Sequence, residues 1–155
     1  MSTFRFSFPT PITFGAGVRK QVPEHFKAQG ISAVMIVTDE MLSKLPFFTQ
    51  YAEELKTAGL KIDIFSGVKG NPVKSQVMAG VEAFKKSGAA AILGIGGGAA
   101  LDVAKAIALM VNHPGDVFDY EDEKPGARPF DKDIPYWIAI PTTAGTGSEV
   151  GRSTV

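Results

Sequence analysis

The sequence alternates short, mostly apolar runs with longer amphipathic segments, and this alternation limits the folds open to the chain. Four short apolar runs occur along it: 33–37, 62–65, 89–95 and 137–140. Runs of this length predict strands rather than buried helices. The segments between them have apolar residues at helical spacing: 48–55, 73–84 and 101–111. Strand and helix therefore alternate, which predicts an α/β fold with a parallel sheet and helices on both faces.

The first residues predict an N-terminal β-hairpin. Phe4, Phe6 and Phe8 alternate with polar residues, as on a strand with one buried face. Two prolines then interrupt the pattern, and 12–14 is the predicted return strand. A basic stretch followed by an apolar run is missing from 1–8, so we expect no signal peptide there.

Proline and glycine predict where several helices begin and end. After a short turn, a helix should start near Pro23 and stop at Gly30. Asn71 and Pro72 have the residue types of an N-cap followed by the first helical position, and Gly88 is typical of the end of that helix.

Composition indicates one soluble globular domain over residues 1–155, because 45% of the 155 residues are hydrophobic, 21% are charged and no linker divides them. Since 16 basic residues balance 16 acidic ones, we expect no nucleic-acid or membrane-surface partner. No apolar segment reaches the roughly 18 residues of a membrane span. The absence of cysteine excludes disulfides, thiolate metal sites and cysteine nucleophiles within this sequence.

A glycine-rich turn joins the third predicted strand to the next helix. Gly94, Gly96 and Ala99 match the pattern G-x-G-x-x-A, and Gly97 and Gly98 fill the turn. Glycine lets a phosphate approach the backbone, and the free N–H groups of the helix start attract the anion. The alternative interpretation is that the small residues only let strand and helix pack closely.

Two aspartates are candidates for binding a nucleotide. Asp39 follows the first buried strand, where a carboxylate can accept both ribose hydroxyls and repel a 2′-phosphate; the alternative is a turn or N-cap aspartate. Asp102 lies in the first turn of the helix after the glycines, where it interacts favourably with the helix dipole or bonds a ribose or the facing loop. Lys105 is three positions on and can pair with it or reach solvent.

The segment 141–149 concentrates hydroxyl groups after the fourth strand. Thr142, Thr143, Thr146 and Ser148 suit phosphate or sugar binding. Thr146 and Glu149 also have capping-box spacing, which is the alternative interpretation.

The remaining titratable groups predict no metal site. His25 and His113 lie on different elements without ligand spacing. The acidic segment 112–134 lacks calcium-loop spacing, and we interpret it as a solvated loop, as a rim of the crevice or as partly helical.

Five segments, in order, resemble the iron-containing (group III) alcohol dehydrogenase family: 8–17, 37–39, 70–72, 96–105 and 140–149. The resemblance covers essentially the whole chain. It implies a Rossmann-like, three-layer domain that binds NAD, followed in the family by a helical domain whose one Asp and three His hold iron, with zinc as the other metal considered. Those ligands do not occur within the 155 residues, so we expect no catalytic or metal residue here and no turnover by this chain alone.

The resemblance also implies roles for individual residues. Asp39 would bind the adenosine ribose and favour NAD over NADP, and Asp102 would help fix the nicotinamide half. The pyrophosphate and the nearby ribose would lie along the glycine loop and its neighbour: Asn71, Gly96, Gly97, Gly98 and Ala99. The threonines would line the adenine and phosphate side: Thr142, Thr143 and Thr146. The family usually has serine where Ala99 stands, so one hydroxyl to the phosphate would be missing.

The expected function is the NAD-binding half of a cytoplasmic, metal-dependent dehydrogenase acting on a primary or small alcohol or the aldehyde. The alternatives are a glycerol dehydrogenase, a dehydroquinate synthase-like relative or a stand-alone nucleotide-binding module without catalysis. The residue sequence of 140–149 is more similar to the alcohol dehydrogenases than to these relatives. The N-terminal strand could pair with a second copy, so a homodimer is a further expectation.

Overall fold

The computed structural model describes residues 10–121, 124–151 and 153–154. Four strands form one parallel sheet in the order β2-β1-β3-β4: β1 Ala33–Asp39, β2 Lys61–Val68, β3 Ala91–Gly96 and β4 Tyr136–Pro141. Four α-helices connect or precede them: α1 Val22–Ala28, α2 Pro46–Thr57, α3 Lys74–Ser87 and α4 Gly98–Met110. The predicted α/β class and parallel sheet are confirmed.

In the described part of the chain, no helix is long and apolar enough to cross a membrane.

Helices cover both faces of the sheet, so the core is in two layers. One layer packs α3 and α4 against Met35, Val37 and Ile92. The other packs α1 and α2 against Val34, Ile36 and other alternate strand residues. Because successive side chains of a strand point to opposite faces, a strand buried on both sides has a continuous apolar run. That is why β1 and β3 could be recognised from the sequence.

Helix limits follow the proline and glycine signals, with one exception. Pro23 lies in the first turn of α1, after a 3₁₀ turn at Val18–Gln21, as predicted. Gly88 ends α3 in the left-handed conformation, also as predicted. The prediction that Asn71 caps α3 is wrong: the helix begins at Lys74 after an extended Val73, and no side chain caps it. The helix therefore begins two residues later than the sequence pattern indicates.

The predicted hairpin is only partly within the described residues. Its first strand, 4–8, lies outside them, and its return segment, 12–14, has no strand assignment. Phe14 is almost fully exposed.

The described part of the segment 112–134, which leaves out 122 and 123, contains a short 3₁₀ turn at Val117–Tyr120 and is otherwise without helix or strand. His113 anchors it: its Nδ1 bonds the Leu109 carbonyl at 2.6 Å, and its Nε2 accepts from the Lys132 N–H at 3.2 Å. The ring is buried against Tyr120 and Phe130. Both ring nitrogens of His113 therefore contact backbone groups that fix the start and the end of this segment.

Candidate functional site

A crevice of about 460 Å³ lies at the carboxyl ends of the central strands. Its walls are the segments that follow β1 and β2, at 39–41 and 68–70, and the start of α4 at Gly97, Ala99 and Ala100. β2 and β3 lie on opposite sides of β1. The chain therefore adds β2 on one side of β1 and then adds β3 and β4 on the other side. Ligands of open α/β sheets bind at this kind of switch point.

The glycine loop forms one wall of the crevice and starts α4. Gly96 has φ +153°, and a Cβ there would come within 2.6 Å of the Ala100 Cβ. Only glycine fits that position without a shift of the helix. Gly97 is the N-cap of α4, and no side chain caps the helix. The first N–H groups of α4 have no partner within the helix, so they can bind an anion.

The hydroxyl-rich segment packs against the same glycines. A Cβ on Gly97 would lie 3.3 Å from Thr143 Oγ1, and one on Gly98 would lie 3.1 Å from Ser148 Oγ. The Thr142 N–H donates to the Gly96 carbonyl at 2.9 Å, which extends the β3–β4 pairing into both loops. The two motifs that the sequence singled out are therefore neighbours in the structure.

The three threonines of this segment are exposed and are not among the residues that line the crevice: Thr142, Thr143 and Thr146. The capping-box interpretation of Thr146 and Glu149 does not hold. Thr146 Oγ1 accepts the Ser148 N–H at 3.4 Å, and the N–H groups of Val150 and Gly151 donate to the Gly147 carbonyl in a turn rather than in a helix.

Asp39 has the turn role that the sequence offered as one of two interpretations. Its Oδ1 accepts the N–H groups of Met41 and Leu42 at 3.0 and 2.8 Å, which stabilises the turn after β1. Its Oδ2 lies 3.6 Å from the point where a Cβ of Gly96 would stand, at the glycine loop. One carboxylate oxygen therefore supports the turn and the other is directed toward the switch point.

Asp102 is 5% exposed and belongs to a buried polar cluster. Its Oδ2 accepts from Ser148 Oγ at 3.0 Å, and its Oδ1 lies 3.4 Å from Lys105 Nζ. Lys105, 7% exposed, also donates to the carbonyls of Gly151 and Ser153 at 3.1 and 2.6 Å. Of the two options for Lys105, pairing is observed. The cluster ties the segment after β4 to α4, and Asp102 bonds the facing loop, as one of the sequence alternatives anticipated.

Asn71 does not line the crevice, although Gly70 beside it does. Its side chain is exposed, so the structure brings it to the rim only.

The sequence analysis missed a group of charges at the rim. Glu40 contacts Lys44 Nζ at 2.9 Å and Lys69 Nζ at 2.8 Å, and both Glu40 and Lys69 line the crevice. The hydrogen bonds from Lys69 and Lys44 lower the pKa of Glu40 to about 2. The position of Glu40 directly after a strand end was the available signal, but the sequence does not show that β2 lies beside β1.

Within the described ranges, no three His, Asp or Glu side chains are grouped so that they could hold a metal ion. The residues of the crevice offer the backbone N–H groups at the start of α4, which suit a phosphate, together with the carboxylates of Asp39 and Glu40 and the ammonium group of Lys69.

Comparison with known proteins assigns a family to this geometry. The family model for iron-containing alcohol dehydrogenase matches residues 9–155. The chain is 40% identical to a choline dehydrogenase of Bacillus subtilis and 36% identical to an NAD-dependent methanol dehydrogenase of Bacillus methanolicus, over 94% and 93% of its own length. It superposes with a TM-score of 0.80 on an NADH-dependent butanol dehydrogenase A of Thermotoga maritima, at 35% identity over 95% of its length.

These matches cover only part of each relative. The chain spans 36% of the choline dehydrogenase, 37% of the methanol dehydrogenase and 36% of the butanol dehydrogenase. It therefore corresponds to about a third of the proteins that it resembles.

Proposed function

The chain belongs to the iron-containing alcohol dehydrogenase family, and from that premise we propose that its crevice binds NAD for hydride transfer between a primary or small alcohol and the nicotinamide. The observation that carries the proposal is the meeting of Asp39, the glycine loop and the hydroxyl-rich segment at one switch point. Each supplies a group that a dinucleotide needs: a carboxylate for ribose, N–H groups for pyrophosphate and hydroxyls for phosphate oxygens.

In this proposal the pyrophosphate lies over the glycine loop. The N–H groups at the start of α4 hold it, and Gly97 at the N-cap lines the crevice. The other residues assigned to this part of the cofactor are at the loop and rim: Asn71, Gly96 and Ala99. The exposed hydroxyls of Thr142, Thr143 and Thr146 extend the binding surface past the glycines.

The ribose hydroxyls are assigned to Asp39, through the carboxylate oxygen that faces the glycine loop. Asp102 is assigned a positioning role near the nicotinamide half, because Ser148 and Lys105 already occupy its carboxylate. NAD, when bound, supplies the acceptor carbon for the hydride.

The described residues do not fit the metal that the family name implies, so no step is assigned to it here. We propose that residues 1–155 form the dinucleotide-binding domain and that metal ligands come from a further helical domain. The intact mass of the natural gene product tests this: a mass more than twice 16.4 kDa supports it, and 16.4 kDa overturns it.

Calorimetric titration of the intact protein with NAD, with NADP as the control, tests the cofactor proposal. We expect saturable NAD binding that is tighter than NADP binding. No heat of NAD binding would overturn the proposal.

The substrate class, the oligomeric state and the location complete the proposal. The substrate class, an alcohol or aldehyde, follows from the family. We also propose a homodimer that forms through the N-terminal strand. The proposed location is the cytoplasm, where the nicotinamide cofactor is present. A monomer in light scattering would overturn the first, and a membrane or secreted fraction in cell fractionation would overturn the second.

A further inference from the structure

A compact group of charges lies at the Asp39 end of the crevice. Glu40 follows β1, and Lys69 follows β2, the neighbouring parallel strand. The Glu40 N–H donates to the Val68 carbonyl at 3.3 Å, which holds the two strand ends together. Glu40 Oε2 lies 2.8 Å from Lys69 Nζ, and its Oε1 lies 2.9 Å from Lys44 Nζ.

The Glu40 carboxylate thus pairs with two ammonium groups. Glu40 and Lys69 both line the crevice. The formal charges of Asp39, Glu40, Lys44 and Lys69 sum to zero, so the rim attracts no anion strongly. Because the lysines bond Glu40, the pKa of its carboxyl falls to about 2, and the group stays charged at every physiological pH. Without that carboxylate, two lysines would stand beside the ribose-binding end of the site with only Asp39 to balance them.

We propose that Glu40 is a specificity-determining residue that disfavours NADP: it engages Lys44 and Lys69 so that they do not bind a 2′-phosphate. This inference rests on the proposed function, because it concerns the adenosine end of the same cofactor site. It differs from the role of Asp39, which repels the phosphate directly. Glu40 acts by withholding the two cations that would otherwise attract the phosphate.

Glu40→Gln tests the proposal in the intact protein, because the amide keeps the size and an acceptor oxygen but loses the charge. Dissociation constants for NAD and NADP are measured by calorimetry at low and at high salt. We expect NADP to bind about three- to tenfold more tightly at low salt, as for a change of one exposed charge beside a phosphate. NAD affinity should change less than about twofold, and the gain for NADP should shrink at high salt because exposed charges are screened.

The matched control is Glu53→Gln on α2. Glu53 also pairs with an exposed lysine, Lys56, at 2.7 Å, but it is not a crevice residue. The control should leave the NAD/NADP ratio unchanged. A second variant, Glu40→Gln with Lys69→Gln, should lose most of the gain in NADP affinity, since the freed cation is removed.

The outcomes separate this inference from the proposed function. If the unaltered protein binds no NAD, the proposed function fails. If it binds NAD but Glu40→Gln leaves the NAD/NADP ratio unchanged, only the role of Glu40 is overturned. An equal shift with Glu53→Gln, or a gain that survives both high salt and loss of Lys69, also overturns it.

Discussion

The two carboxylate oxygens of Asp39, at the end of β1, have different surroundings. The sequence left two interpretations open, a ribose ligand or a turn aspartate. The structure assigns the turn to Oδ1, which accepts two N–H groups, and leaves Oδ2 directed at the glycine loop. The two roles are compatible because a carboxylate has two oxygens, each with two acceptor sites.

Two substitutions at this residue should separate the roles. Asp39→Asn keeps an acceptor for the turn, so we expect a Tm near that of the unaltered protein and a weaker preference for NAD over NADP. Asp39→Gly should relax the preference as well and also cost about 1 kcal/mol of stability, because the turn N–H groups lose their acceptor. Thermal unfolding and calorimetric titration measure the two effects; an unchanged NAD/NADP ratio in both variants would remove Asp39 from the site.

The charge of Glu40 should also be visible in the pH dependence of stability. Its pKa is lowered from 4.5 to about 2 by the bonds from Lys69 and Lys44. A lowered pKa means that the stabilisation is complete above pH 4.5 and is lost as the pH falls toward 2. The Tm difference between the unaltered protein and Glu40→Gln should therefore shrink over that range. A difference that stays constant from pH 6 to pH 2, read by circular dichroism, would contradict the assignment.

At the scale of elements, the segment after β4 is held to α4 by buried charges. Lys105 bonds Asp102 on its own helix and two carbonyls of the segment, Gly151 and Ser153. From the three-residue spacing, the sequence left two options for Lys105: pairing with Asp102 or reaching solvent. A buried ammonium is tolerated here because several acceptors surround it.

Removal of this ammonium should be costly. Lys105→Met leaves the Asp102 carboxylate buried without its cation, so we expect a loss of about 3 kcal/mol in the free energy of unfolding. Lys56→Met removes an exposed lysine from an ion pair on α2 and should cost less than about 1 kcal/mol. Urea denaturation measures both; equal small losses would show that the cluster contributes little.

At the scale of the whole molecule, the proposed cofactor should stabilise the folded state. A ligand that binds only the folded chain adds about 2.7 kcal/mol when its concentration is 100 times its dissociation constant. For a domain of this size we expect a rise in Tm of about 5–10 °C with saturating NAD. Differential scanning calorimetry measures the shift, with NADP at the same concentration as the comparison. No rise with NAD would argue against a site in the described crevice.

The sequence by itself determined the local features: the alternation of strand and helix, the strands buried on both faces, the glycine loop and most helix ends. Each depends on neighbouring residues, through side-chain periodicity or through the backbone preferences of glycine and proline. Even there the start of α3 was misplaced, because Asn71 and Pro72 have the residue types of a cap but the observed N-cap is Val73.

Only the tertiary structure decided which local features meet. The order β2-β1-β3-β4 puts Lys69 beside Glu40, Asp39 beside Gly96 and Ser148 beside Asp102. Strand order arises from long-range packing of two core layers, and the spacing of residues along the chain carries no record of it. For that reason the sequence could name candidate site residues one by one, while the pairing of Glu40 with Lys69 at the rim could not be predicted.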